Sequence, residues 1–156
     1  MAMNMLYDPI SDTMIVSIVS LIMRIFIGAL MVIHGAPKLF GPSRKPMRDN
    51  FKQIIPAFLF DLVGLLEFIG GIALIFGFLT RIAAILFAIE MVGTTILTIT
   101  KLYNMPIPRG YVEPMFKATK GFVGGWELDV VILASCLALA VIGPGMLSID
   151  YLIAII

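Results

Sequence analysis

The chain has 156 residues, 60% of them hydrophobic and only 13% charged, with a mean hydropathy of +1.06; a soluble domain is nearer half apolar and a quarter charged. A net charge of +1 gives no basis for nucleic-acid binding. The single cysteine, Cys136, and single histidine, His34, exclude an intrachain disulfide, a Cys-x-x-Cys motif and a haem held by two histidines of this chain.

The apolar excess runs along the whole length, and no basic segment precedes the first apolar run, so the pattern reads as an integral membrane protein rather than a cleaved signal. A span needs about 20 mostly apolar residues at 1.5 Å rise each. Four segments qualify, and they are too long and too uniformly apolar for membrane strands.

The first predicted span covers about 14–34, carries Arg24 near its middle, and is closed by His34 and Lys38. Residues 35–56 are polar and basic, with Pro37, Pro42, Pro46 and Pro56. The second span, about 57–79, has Asp61 at its opening and Glu67 about ten residues in. Gly77 to Arg81 forms a very tight turn, so the second and third spans are expected to be antiparallel neighbours. The third span, about 82–100, carries Glu90. Residues 101–125 form a second long connection, with Pro106, Pro108 and Pro114 and a final Gly124-Gly125. The fourth span, about 127–142, follows Trp126 and opens with Glu127 and Asp129; Gly143-Pro144-Gly145 stops it. Residues 148–156 are too short to cross and are expected at the interface or over the bundle. The chain, 1–156, thus reads as one all-α domain, a four-helix membrane bundle.

Lys and Arg concentrate in the two long connections, which hold Lys38, Arg44, Lys45, Arg48 and Lys52 in one and Lys101, Arg109, Lys117 and Lys120 in the other. The opposite side has Arg81 alone. The positive-inside rule therefore places the long loops in the cytoplasm and both termini outside.

Arg24, Glu67 and Glu90 fall at similar depths in their spans, so antiparallel packing is expected to gather them near the midplane. Ionisable groups there pair inside a bundle or line a polar pathway. Gly28 lies one turn from Arg24, Gly64 and Gly71 flank Glu67, and Gly93 and Thr94 follow Glu90; small residues let helices approach. Two readings stand side by side. The triad is a structural ion pair that fixes helix register. Alternatively, since one Arg cannot neutralise two Glu, the excess carboxylate holds a proton and serves proton relay or delivery to a quinone headgroup. His34, Lys38, Asp61, Glu127 and Asp129 would form a polar mouth toward the long loops. Each also has a plainer role: snorkelling for Lys38, a helix N-terminal charge for Glu127, an interface anchor for Trp126.

No metal is expected, because one His with scattered carboxylates is a weak ligand set. Cys136 reads as a small core residue. The eleven methionines suggest no copper site; Met1, Met3 and Met5 cluster only at a terminus. The chain alone is expected to bind no cofactor, with a quinone the one ligand its carboxylates could serve.

These stretches resemble the DoxX family of small four-helix membrane proteins. The likeness rests on Arg24-Ile-Phe-Ile-Gly28, His34-Gly-Ala-Pro-Lys38-Leu-Phe, Glu67-Phe-Ile-Gly-Gly71, Gly77-Phe-Leu-Thr-Arg81 and Gly143-Pro-Gly-Met-Leu-Ser-Ile-Asp150. It spans about Leu21 to Asp150, and the order and spacing of the pieces carry it. The resemblance implies a four-helix bundle and links to terminal quinol oxidase and thiosulfate:quinone oxidoreductase complexes. It carries over Arg24, His34, Lys38, Glu67 and Arg81. The connection from Lys101 to Gly125 departs from it, being long and basic. The chain shows no soluble redox domain, so thiosulfate chemistry would need a partner.

Three functions follow as expectations. The chain is a membrane subunit of a respiratory-type oxidoreductase complex that contributes to a quinone or proton site, surrounded by membrane lipid. Or it is a purely structural accessory subunit of another membrane enzyme. Or it is a small transporter, for which the absence of inverted repeats is unfavourable. It is not expected to be a redox enzyme by itself.

Overall fold

The computed structural model describes residues 13–104 and 113–153. Among them, seven helices follow one another: α1 (Thr13–Leu39), α2 (Arg44–Phe51), α3 (Ala57–Phe76), α4 (Thr80–Thr100), α5 (Glu113–Ala118), α6 (Glu127–Ile142) and α7 (Ile149–Leu152). Helices α1, α3, α4 and α6, the last with its preceding turn from Phe122, are long and apolar enough to span a membrane. The two ends of the bundle differ. The turn end holds the α3–α4 turn and the α6–α7 connection; the loop end holds α2, α5 and the long connections.

Burial on α1 falls on Ser17, Ser20, Arg24, Ile27, Gly28, Met31 and Gly35, steps of three and four residues that mark one helix face. Its other faces present exposed apolar side chains such as Phe26 and Ile33. That is the pattern of a helix whose outer solvent is lipid. The core contains Met31, Leu74, Ala84, Phe87, Cys136 and Leu139, so Cys136 packs as a small buried residue.

The close helix pairs are α1 with α3 and α4 with α6, and contacts between α1 and α6 join the two pairs. The second and third spans are neighbours through their turn and through side chains, but they are not one of the close pairs. The backbones of α3 and α4 approach mainly at the Gly71–Phe76 end, beside their turn. Farther down they meet through side chains, Phe87 against Gly70 and Glu90 against Glu67. The tight turn connects the helices without making them pack closely; small residues do that elsewhere.

Those small residues set the register of α1 on α3. A Cβ on Gly28 would sit 2.6 Å from the Gly71 carbonyl, and one on Gly71 would sit 2.7 Å from the Gly28 carbonyl. A Cβ on Gly35 would lie 2.9 Å from the Gly64 carbonyl. Only glycine permits such approach. Pairing 28 with 71 and 35 with 64 places Arg24 opposite Ile75, about 21 Å along α1 from Lys38.

The turn end is closed by residues 143–150. Ser20 Oγ donates to the Gly143 carbonyl (2.7 Å) and Met146 N–H donates to Ser17 Oγ (2.9 Å). Asp150, 2% exposed, accepts from the Leu79 and Thr80 N–H groups at 2.7 and 2.8 Å, and its own N–H donates to the Gly77 carbonyl at 2.9 Å. It thereby supplies from afar the N-terminal cap of α4. It also holds Leu79 at φ 51°, a left-handed conformation costly for leucine. Of the two positions expected for the last segment, the structure shows α7 covering the end of the bundle.

At the loop end, α1 runs on through Pro37 to Leu39, beyond the predicted limit at 34. The first connection contains α2, and the second contains α5 with a kinked, non-helical turn through Val123, Gly124 and Gly125 ahead of α6. Pro106, Pro108, Arg109 and the early methionines lie outside the described residues.

Candidate functional site

The structure divides the predicted triad between two polar layers. Arg24, fully buried, belongs to the turn end: Nη2 donates to the Leu147 carbonyl at 2.5 Å and Nη1 to the Ile75 carbonyl at 3.4 Å. Its charge faces Asp150, not Glu67 or Glu90. The expected midplane triad is therefore corrected. Similar depth counted from each span start misplaced the residues, because α1 is longer than its apolar run and the glycine pairs fix a different register.

The second layer lies toward the loop end. Lys38 Nζ lies 2.5 Å from Glu67 Oε1. Cα–Cβ bonds tilt toward a helix N-terminus, so Lys38 reaches back along α1 to a glutamate set deeper in the bundle. Glu67 sits on a π-helical turn, Leu66–Gly70, that interrupts α3; such turns occur frequently at functional sites. Glu90 projects from α4 against Glu67, with Lys38 and Asp129 also within electrostatic reach. Glu67 is 3% exposed and Glu90 8%. Written as carboxylates, Glu67 Oε2 and both Glu90 oxygens have no hydrogen-bond donor. Two buried carboxyls thus face one lysine.

A cavity of about 340 Å³ opens beside this layer, in the gap between α3 and α4. Lys38 and Glu90 line it with Phe60, Val63, Gly93 and Leu97. Gly93 has nothing within 4 Å of where a Cβ would stand, which leaves that wall open. The space has apolar sides, with one cation and one carboxyl.

The predicted polar mouth is partly assembled. Asp129 accepts from Thr95 Oγ1 at 3.4 Å and lies within reach of His34 and Lys38. His34 is exposed. Asp61 does not join them: it accepts from Arg48 at 2.9 to 3.2 Å and from Arg44 at 3.4 Å, tying α2 to α3. Glu127 accepts from the Gly124 N–H at 2.8 Å, within the turn that starts its own helix. Arg81 packs its guanidinium over Gly143 at the turn end. Among the described residues, no group of three or more His, Cys, Asp or Glu side chains could hold a metal. Ser17, Ser20 and the capping role of Asp150 were not foreseen. The signal for the last was the Ser148-Ile-Asp150 triplet just past the Gly-Pro-Gly stop.

Fold and site define a class: small four-helix membrane proteins with a buried carboxyl pair. The DoxX family model matches residues 19–101, and the chain belongs to the DoxX family. It is 35% identical over 133 residues to "Inner membrane protein YqjF" of Escherichia coli (strain K12), covering 85% of this chain and 90% of that one. It is 32% identical over 133 residues to "Uncharacterized membrane protein Rv3486" of Mycobacterium tuberculosis (strain ATCC 25618 / H37Rv), covering 81% and 76%. It is 28% identical over 132 residues to "Putative oxidoreductase CatD" of Bacillus subtilis (strain 168), covering 84% of each. No solved structure matches.

Proposed function

We propose that this chain is a membrane subunit of an oxidoreductase complex, holding a quinone headgroup in the α3–α4 cavity and handing it a proton from the Glu67–Glu90 pair. The observation that carries this reading is the pair itself: two buried carboxyls, one lysine, and a cavity that reaches Glu90 and Lys38. Like charges so close and so dry do not both ionise; one shared proton leaves a single negative charge for Lys38 and supplies the missing donor. Lys38 and protonated Glu90 can each donate to a quinone carbonyl oxygen.

Reduction of a quinone consumes two electrons and two protons. The partner supplies the electrons; the Glu67–Glu90 pair hands over one proton, is refilled from the loop end past Asp129 and His34, and hands over the second. The relative whose name reads "Putative oxidoreductase CatD" is consistent with such a setting. The competing reading is a purely structural subunit, and the Lys38–Glu67 ion pair between α1 and α3 favours it.

Gentle extraction of native membranes should show the chain co-migrating with a larger redox enzyme. In that assembly, Glu67→Gln and Glu90→Gln should leave the complex intact and abolish quinone reduction. Full activity in both variants makes the subunit structural. Migration alone would overturn both subunit readings and turn attention to transport.

A further inference from the structure

A second cavity lies farther along the same α3–α4 gap, where the two helices converge on their turn. It measures about 380 Å³ and lies toward the turn end. Its walls, among them Leu62, Leu66, Ile69, Ile82 and Leu86, are apolar throughout. On α4, Ile82 and Leu86 line this second space, while Glu90, Gly93 and Leu97 line the first. Those positions step by three and four residues, so they share one face of α4. On α3, Leu66 and Val63 stand in the same relation. One helical turn separates the two spaces, and the whole seam from Leu97 to Ile82 is about 22 Å long.

We propose that this seam holds the tail of the ligand, so that the site takes long-tailed quinones and reads the tail as well as the headgroup. The proposal rests on the quinone reading above. A headgroup held by Lys38 and Glu90 places its attached tail beside an apolar slot that starts one turn away. A tail already dissolved in lipid gains no hydrophobic energy by entering an apolar slot; packing alone favours it there. The expected selectivity is therefore a matter of shape. An unattached lipid chain, or a helix of a partner subunit, are the other occupants the seam could take.

Two photoreactive probes separate these outcomes in the natively extracted protein. One is a tail-less benzoquinone with an azide on the ring; the other is a long-tailed quinone with a diazirine at the tail end. The ring probe should label the Glu90–Leu97 stretch. The tail probe should label Ile69–Leu86, and excess unlabelled long-tailed quinone should compete with it. In Leu86→Trp, a change at a side chain 41% exposed, tail labelling of the seam should fall at least fivefold while ring labelling persists. Tail labels spread over lipid-facing positions such as Phe26 and Val141, or found on a partner helix, overturn the seam and leave the headgroup reading standing. Absence of ring label from the cavity takes down the headgroup reading, and the seam with it.

Discussion

The two polar layers use similar residues to opposite ends. At the turn end, Asp150 receives two backbone N–H groups, and both Arg24 Nη atoms reach backbone carbonyls of α3 and the α6–α7 connection, leaving Arg24 Nε and Thr80 Oγ1 without partners. At the loop end, two carboxyls converge on one lysine, and three of their four oxygens lack a donor. A charge tied to backbone on several elements holds those elements together. A charge left short of partners beside a cavity is available for a ligand or a proton. The first layer is thus read as structure and the second as chemistry.

The largest expected effect comes from opening the closed layer. Arg24→Leu removes the cation that faces buried Asp150 and leaves the Leu147 and Ile75 carbonyls without their donor, which should cost about 3–5 kcal/mol. Unfolding in mixed micelles should show it. An Arg24→Leu protein as stable as the parent would mean the turn end is not the clamp described.

In the open layer the same kind of change should act on activity instead. Glu90→Gln keeps the shape and removes the titrating proton, so quinone reduction in the assembled enzyme should fall about 100-fold or more. Stability should hold, because the amide keeps the shape and still offers Glu67 a hydrogen-bond donor. A variant that unfolds would place Glu90 with Arg24 as a structural group.

Next in size is the glycine register. Gly28→Ala drives a methyl into the Gly71 carbonyl and should cost about 1–3 kcal/mol, read by the same unfolding assay. Gly93→Ala meets nothing within 4 Å. It should leave stability unchanged while narrowing the cavity and weakening ring labelling. Equal destabilisation by the two would show that α1 and α3 are not packed through their glycines.

The four spans were legible because length and apolarity alone specify them. The layers were not, and the reason lies in register. Depth counted from the start of each hydrophobic run assumes that the runs start level; α1 continues through Pro37 to Leu39, and this shifts every position. The sequence nonetheless carries the answer. Gly28 and Gly35 are seven apart, as are Gly64 and Gly71, and antiparallel pairing of the two sets puts Arg24 opposite Ile75. Lys38 is legible in the sequence as part of the polar mouth or as a snorkelling side chain, because nothing local indicates that it turns inward to Glu67. The π-helical turn under Glu67 and the spreading of α3 from α4 are tertiary features with no local residue pattern to announce them. Asp61 was grouped with the mouth because α2, which supplies Arg44 and Arg48, was read as part of an irregular loop.

The smallest effect belongs to the exposed charges of α2, and it supplies the control for both layers. Lys52 Nζ lies 2.8 Å from Asp49 Oδ1, and that hydrogen bond holds the Asp49 carboxyl below its usual value of 3.8. A depressed carboxyl stabilises the folded state above the unfolded-state value, and the contribution disappears as pH falls through the folded one. Asp49→Asn should therefore lower the melting temperature slightly and evenly between pH 5 and about 8, and the difference should vanish in acid. High salt should erase it too, since the pair is solvent-exposed. Glu90→Gln should behave differently, with an activity loss insensitive to salt because its surroundings are dry. If salt suppressed both effects alike, water would reach Glu90 freely, and the contrast between a sealed carboxyl pair and a solvated one would fail.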